Sequence, residues 1–192
     1  VSHELKSPMT TIAGFADGIL DGTIPKDQED KYLVTIADET RRLSRLVRSM
    51  LDMSRVESTG EDLTRRREFD ISDRIVSTML SFEARANDKQ LDVDLQLPED
   101  PMLVPGDPER LKQVFLNILD NAAKYACDGK TIEVSVFSDT EAATIQFRDH
   151  GPGIPDSELP HVKEKFFKGE KHKARGSGIG LAVCDEIVTR SG

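Results

Sequence analysis

A histidine stands beside a carboxylate near the N-terminus, in the segment SHELKSP of residues 2–8. Leu5 belongs to a stripe of apolar residues, so His3 lies off that stripe, on the predicted solvent-facing side of a helix. An exposed imidazole is nucleophilic near neutral pH, and Glu4 can orient the ring or accept its proton. Pro8 deletes one helical hydrogen bond and predicts a kink beside His3. The alternative is an ordinary surface histidine in a helix that tolerates a proline.

A second cluster puts two amides and an ammonium group on one face of a predicted helix. Asn117, Asn121 and Lys124 follow the spacing i, i+4 and i+7, which brings them to the same side. Amide oxygens can hold a hydrated Mg²⁺, Lys124 can lie near phosphates, and Tyr125 can pack on a flat base. The opposite, buried side is predicted to consist of Leu111, Val114, Phe115, Ile118 and Leu119. The alternative is a solvated polar face without a ligand.

A third cluster follows a predicted strand, where residues 148–155 read RDHGPGIP. The carboxylate of Asp149 can accept a hydrogen bond from an exocyclic amine such as that of adenine. Gly151 and Gly153 would let a flat base lie close to the backbone. The alternative is an ordinary turn.

The last predicted helix opens with a glycine-rich segment, GSGIGL at residues 176–181. Free backbone N–H groups and the helix dipole at such a start attract phosphate oxygens. The spacing is neither a Rossmann fingerprint, since no strand leads into it, nor a P-loop, since Gly-Lys-Ser/Thr is missing. Residues 167–175, FKGEKHKAR, precede it and predict a mobile flap that supplies positive charge. The flap is equally compatible with a disordered surface loop.

The first of the elements that position these clusters is a pair of helices. Two apolar stripes with spacings of three and four residues are separated by turn residues at 21–26, which predicts an antiparallel helical hairpin. One hairpin leaves a side of each stripe uncovered, so we expect two copies to form a four-helix bundle and the chain to be a homodimer. The stripes consist of Leu5, Met9, Ile12, Ala16 and Ile19, then Leu33, Ile36, Thr40, Leu43, Val47, Met50 and Ser54.

The rest of the chain shows mixed strand and helix patterns after a polar stretch. We place the helical hairpin at residues 1–58, a linker at 59–64 and a second domain at 65–192. Because its helices and strands do not alternate regularly, that domain is predicted to be an α/β sandwich with a mixed sheet, and the fold class α+β. The predicted strands are 68–71, 91–97, 131–138 and 143–148, and the predicted helices are 72–87, 107–126 and a last one after 178.

Composition limits the classes of function. The 192 residues are 37% hydrophobic, enough for a core, and the net charge of −9 disfavours a nucleic-acid or anionic-membrane partner. No apolar stretch is long enough to span a membrane, and the start Val1-Ser2-His3 has neither an initiator methionine nor the apolar region of a signal peptide. Cys127 and Cys184 form no C-x-x-C pair, which suits a reducing compartment. We expect a cytoplasmic fragment, cut from a longer protein, that makes no membrane contact itself.

Taken in order, these segments resemble the sensor histidine kinases of two-component systems. The matching motifs are His-Glu-x-x-x-Pro, Asn-x-x-x-Asn-x-x-Lys, Asp-x-Gly-x-Gly, Phe-Phe and Gly-x-Gly-x-Gly, the H, N, G1, F and G2 boxes of that family. The resemblance covers nearly the whole chain. It implies a dimerisation and phosphoacceptor hairpin followed by an ATP-binding domain of the gyrase, heat-shock-90, kinase and MutL type, with ATP and Mg²⁺ as cofactors. It also implies a longer, membrane-anchored sensor.

The same resemblance implies a role for each box residue. His3 would be the phosphoacceptor and Glu4 its acid/base partner, and Ser7 stands where related kinases position a water for dephosphorylation. Asn121 would be the principal Mg²⁺ ligand, with Asn117 as support. The implied nucleotide-binding residues are Asn117, Asn121, Lys124, Tyr125, Asp149, Gly151, Gly153, Ile154, Phe167, Lys168, Arg175, Gly176, Ser177, Gly178, Gly180 and Leu181.

Some positions depart from the family pattern. His150 stands where asparagine or another small polar residue is common, and Lys165 and Lys168 stand where arginine is frequent. Lysine lacks the bidentate fork of arginine, which makes Arg175 another candidate for the γ-phosphate contact.

The activity implied by the resemblance is ATP-dependent phosphorylation of His3, followed by transfer to an aspartate of a response-regulator receiver domain docked near His3. A non-catalytic dimeric scaffold that senses nucleotide is one alternative. A nucleotide hydrolase of the same superfamily is another.

Overall fold

The computed structural model describes residues 2–58, 66–126, 131–138, 142–169 and 176–191, except for the side chains of residues 2, 3, 52, 55–58 and 191. The chain divides into two compact units, Val1–Arg55 and Val56–Gly192. The first is helical, and the second combines helices with two small sheets. The predicted α+β class is thereby confirmed.

Two helices joined by a tight turn form the first unit. Helix α1 spans Ser2–Leu20 and continues through Pro8, and helix α2 spans Glu29–Ser58. In the turn, the Asp21 carboxylate accepts the Thr23 N–H at 2.9 Å, and hydrogen bonds from Thr23 lower the pKa of Asp21. The ring of Phe15 meets that of Tyr32 edge to face at 4.9 Å, which holds the two helices together as the predicted hairpin.

The stripe predicted on α2 is only partly the buried one. Leu46 and Met53, seven residues apart and off the predicted stripe, are each 6% exposed. Leu33 and Val47 belong to the stripe, yet they are 50% and 42% exposed. A single chain therefore leaves much of the predicted stripe in contact with water.

The second unit contains a mixed sheet of three strands. Strand β2 (Asp92–Gln96) runs parallel to β4 (Thr131–Ser138), and β4 runs antiparallel to β5 (Ala143–Arg148). The alternating pattern of β4 points Ile132, Val134 and Val136 into the core, as the period of a strand requires. The mixed sheet agrees with the sequence prediction.

A two-stranded sheet accompanies it. Strand β1 (Arg67–Asp70) pairs antiparallel with β3 (Leu103–Gly106). The sequence did not predict β3, because Pro105 and Gly106 are typical of a turn and the strand is only four residues long.

The described residues of the second unit also form three helices. They are α3 (Ile71–Asp88), α4 (Pro108–Tyr125) and α5 (Gly180–Ser191), and α4 packs against both of the others. The predicted start of α4 is confirmed, since the Asp107 side chain accepts the N–H groups of Glu109 and Arg110 at 2.9 and 3.2 Å. The ring of Phe115 packs on that of Phe147 at 5.6 Å and ties α4 to β5.

The described part of the chain contains helices of up to 30 residues. None of its helices combines the length and the apolar character that a bilayer span requires.

Asp70 joins three elements, and its substitution should be costly. One carboxylate oxygen accepts the Ser72 N–H at 2.9 Å, which caps α3, and the Met102 N–H at 3.2 Å, just before β3. We expect Asp70→Ala to lower the free energy of unfolding by about 2 kcal/mol, measured by urea denaturation. Asp70→Asn keeps an acceptor and should cost less. A loss no larger than that of Glu83→Ala, an exposed position on α3, would contradict the capping role.

Candidate functional site

The two amides of α4 lie beside the first residue of α5. The Asn117 side chain donates from Nδ2 to the carbonyl oxygen of Gly180 at 3.4 Å. A Cβ placed on Gly180 would lie 3.9 Å from Nδ2 of Asn121 and 4.0 Å from Cγ of Asn117. The start of α5, where backbone N–H groups have no helical partner, therefore opens next to both amides.

The segment that leads into α5, here called the glycine loop (residues 176–180), is held by the backbone around Phe166. The Phe166 N–H donates to the carbonyl of Gly178 at 2.8 Å. Gly178 has a φ of +72°, and a Cβ on it would come within 2.7 Å of the Phe167 carbonyl oxygen. Both the left-handed backbone and this close approach require glycine. The side chain of Lys124 reaches the same loop, since a Cβ on Gly176 would lie 3.7 Å from its Nζ.

The loop after β5, here called the Asp149 loop (residues 149–153), lies against the end of α4. The Asp149 carboxylate accepts the N–H of Gly151 at 2.8 Å. A Cβ on Gly151 would come within 2.7 Å of the Tyr125 carbonyl oxygen, so only glycine allows this contact. The structure thus brings the second, third and fourth sequence clusters together around α4.

Other predicted residues stand nearby with separate contacts. Ser177 accepts the Ile179 N–H through its hydroxyl at 3.4 Å, which supports the turn into α5. The ring of Phe167 packs on that of His161 at 5.8 Å. Ile154 is half exposed, while Lys168 and Leu181 are partly buried.

The hairpin residues belong to the first unit. His3 lies in the first turn of α1, with its side chain outside the described residues. Glu4 is partly buried and Ser7 is exposed, with the Ser7 carbonyl accepting the Thr11 hydroxyl at 3.2 Å. Arg175 also lies outside the described residues. The assigned roles of all these residues stay predictions.

The polar groups of this region suit a phosphate ligand with a hard cation. Backbone N–H groups at the start of α5 and the Lys124 ammonium attract phosphate oxygens, and amide oxygens are ligands that Mg²⁺ accepts. Among the described residues, no group of three or more His, Cys, Asp or Glu side chains could hold a metal ion. The side-chain amide oxygens of Asn121 and Asn117 could hold such a cation together with the phosphates of the ligand.

Cys184 was missed as a neighbour of the site. It is buried on α5, donates to the Val114 carbonyl at 3.7 Å and bonds with the Asn117 side chain. Burial raises the pKa of its thiol from 9.0 to about 11, and the bond with Asn117 only partly opposes that shift. The signal in the sequence was its position four residues after Gly180, which puts both on one face of α5.

An open groove runs along β5, lined by Ile118, Phe137, Thr144, Ile145, Gln146 and Phe147. It contains none of the predicted site residues. None of its lining side chains is cationic, and a triphosphate needs positive charge to bind, so we place the candidate site at the glycine loop.

Comparison with known proteins gives the family. Residues 1–59 match the His Kinase A (phospho-acceptor) domain, and residues 106–192 match the histidine kinase-, DNA gyrase B- and HSP90-like ATPase domain. The sensor protein SphS of Synechococcus elongatus is 31% identical over 98% of this chain and 47% of its own length. The chain belongs to the sensor histidine kinases of two-component systems.

Solved structures agree with this assignment. The histidine kinase AdeS of Acinetobacter baumannii is 27% identical, with a TM-score of 0.71 over 98% of this chain and 86% of that one. The histidine kinase ThkA, solved in complex with the response regulator protein TrrA, shares the fold with a TM-score of 0.76 at 23% identity, over 100% of this chain and 53% of that one. The chain spans 22% of the length of the sensor protein KdpD of Clostridium acetobutylicum and 47% of the length of SphS.

The raised pKa of Cys184 predicts a loss of stability in alkali. A folded-state pKa of about 11 against 9.0 leaves stability unchanged below pH 9 and lowers it as pH rises towards 11, by up to about 2–3 kcal/mol. We expect Cys184→Ala to show a smaller fall over that range in urea denaturation, both proteins carrying Cys127→Ser. Equal slopes would show that the thiol is not buried as described.

Proposed function

We propose that the chain is an ATP-dependent protein histidine kinase that phosphorylates itself on His3 and passes the phosphoryl group to an aspartate of a response-regulator receiver domain. The observation that supports this most is the convergence of Asn117, Asn121 and Lys124 with the glycine loop at the start of α5. Side-chain amides, an ammonium group and the backbone N–H groups of a helix start, all at one place, suit a nucleoside triphosphate with its cation.

The Asp149 loop would bind the base. One oxygen of the Asp149 carboxylate holds the Gly151 N–H, and the other is the proposed acceptor for the adenine amine. Gly151 lies against the end of α4, so the base would come to rest near Tyr125. Gly153, Ile154 and Leu181 are proposed to complete the walls of this pocket.

The other end of the ligand would meet the glycine loop. Lys124 and the N–H groups of the glycine loop would hold the phosphates, with Phe167, Lys168 and Arg175 as proposed contacts of the flap. Mg²⁺ neutralises phosphate charge in such reactions, and Asn121 is its proposed principal ligand with Asn117 as support.

The chemical step needs little from the protein beyond positioning. A nitrogen of the His3 imidazole attacks the γ-phosphorus in line, an N–P bond forms, and the P–O bond to ADP breaks. Glu4 accepts the proton that the imidazole loses. Catalysis of this kind depends on orientation and on neutralising charge.

Ser7 is proposed to act in the reverse direction, on the phosphorylated regulator. It is exposed, one turn of α1 after His3. Its hydroxyl can position a water, but it lacks the methyl group that restricts the rotamers of threonine. We therefore propose a weak phosphatase activity.

The partners follow from the hairpin. The uncovered side chains of Leu33 and Val47 support a homodimer through a four-helix bundle, and the surface near His3 is the proposed docking site for the receiver domain. A regulator bound to ThkA supports this partner class. We place the fragment in the cytoplasm, within a longer, membrane-anchored sensor.

The histidine assignment is tested by γ-labelled ATP with Mg²⁺. We expect acid-labile, base-stable label on the protein and its complete loss in His3→Gln, because glutamine cannot form the N–P bond. Binding of ATP should survive, since the proposed pocket lies in the other unit. Label retained in His3→Gln would refute the assignment. Release of free phosphate without labelled protein would instead indicate a hydrolase, and neither product a scaffold.

Dimerisation is tested by placing a charge in the predicted bundle core. Leu43→Asp should dissociate the dimer, because an unpaired buried charge costs several kcal/mol. Ser44→Asp adds the same charge at an exposed neighbouring position and should leave the dimer intact. Light scattering measures both. A parent chain that stays monomeric at every concentration would contradict the proposal.

A further inference from the structure

A histidine outside the predicted site residues is tied to the central strand of the mixed sheet. Nε2 of His150 lies 2.8 Å from Oε1 of Glu133 on β4. Arg148 reaches the other carboxylate oxygen of Glu133 at 4.0 Å. The His150 and Glu133 side chains are 40% and 38% exposed, so the pair is partly shielded from water.

This bond lies at the end of the sheet, next to Asp149. The pairing of β4 with β5 ends with Glu133 opposite Arg148, and the next residue is Asp149. Beyond that point the backbone ladder no longer fixes the chain. The bond from His150 to Glu133 connects the chain to β4 again, two residues after Arg148. This connection is made by side chains, whereas the earlier ones are backbone hydrogen bonds.

Asp149 is therefore held from both sides. On its C-terminal side its own carboxylate accepts the Gly151 N–H, and Gly151 rests on the Tyr125 carbonyl. On its N-terminal side it follows the last paired residue of β5. His150 lies between these restraints, and fixing its side chain limits the backbone rotations that would turn the Asp149 carboxylate away from the base.

We propose that His150 is a positioning residue for adenine recognition, acting through Asp149 and anchored by Glu133. This inference rests on the proposed nucleotide-binding function and extends it to His150, the variable position of the Asp-x-Gly-x-Gly motif. A loop that is already ordered loses less conformational freedom on binding. Half-exposed pairs of this kind contribute modestly, so removing the anchor should weaken binding of an adenine nucleotide about two- to fivefold.

The experiment measures the dissociation constant of a non-hydrolysable ATP analogue with Mg²⁺ by isothermal titration calorimetry. We expect His150→Ala and Glu133→Ala each to raise it about two- to fivefold, and the double variant to lose no more than either alone. His150→Gln keeps a donor that reaches Glu133 and should restore most of the affinity. Asp94→Asn removes a carboxylate from the strand position beside Glu133 and should bind as the parent does.

The same His150→Ala substitution, made in an Asp149→Asn variant, distinguishes a positioning role from a general loss of structure. In Asp149→Asn, His150→Ala should cause no further loss, because the residue it positions is already altered. Circular dichroism melting curves show that each variant is folded.

Three results would overturn the inference. The first is parental affinity in both His150→Ala and Glu133→Ala. The second is an equal loss from His150→Ala with and without Asp149. Both leave the proposed function standing. The third is a parent chain that binds no analogue, which would overturn the proposed function together with this inference.

Discussion

The contact between α4 and α5 is the constraint on which the candidate site depends. The Asn117 amide spans the two helices through the Gly180 carbonyl, and the buried Cys184 thiol lies beside that amide. Buried apolar side chains of α4 and α5 pack against each other and fix the distance between the two helices. The start of α5 therefore faces the polar side of α4. A helix start with unpaired N–H groups attracts anions, and the α4 amides meet it from the other side. Shifting either helix would separate the groups proposed to bind the phosphates from the amides proposed to bind the cation.

Glycine makes two further contacts of the site feasible. Gly178 lets the glycine loop lie against the backbone of Phe166 and Phe167, and Gly151 lets the Asp149 loop lie against the end of α4. In both cases a Cβ would come within 3 Å of a carbonyl oxygen. The two ends of the proposed nucleotide pocket are therefore set by close approach of the backbone to neighbouring elements. A substitution at either glycine would displace the side chains proposed to bind the nucleotide.

Local signals predicted much of this arrangement, while long-range pairing carried the rest. Asp107 followed by Pro108 is a local signal for a helix start that does not depend on tertiary contacts, and α4 begins there. Strand β3 escaped prediction because it exists only through its pairing with β1. Leu46 and Met53 are buried although they lie off the predicted stripe. The spacing of apolar residues does not tell which face of a helix its neighbours cover. The bond between His150 and Glu133 required the register of β4 and β5, which sequence spacing does not provide.

The central claim, that a nucleotide binds between the Asp149 loop and the glycine loop, is tested most directly by nuclear magnetic resonance. The ¹⁵N-labelled chain is titrated with a non-hydrolysable ATP analogue and Mg²⁺. The account predicts that the amide signals of Gly151, Gly178 and Gly180 and the side-chain amides of Asn117 and Asn121 shift together, while the amides that line the groove along β5 do not. Shifts concentrated at Ile145 and Gln146, with Gly180 unmoved, would contradict it.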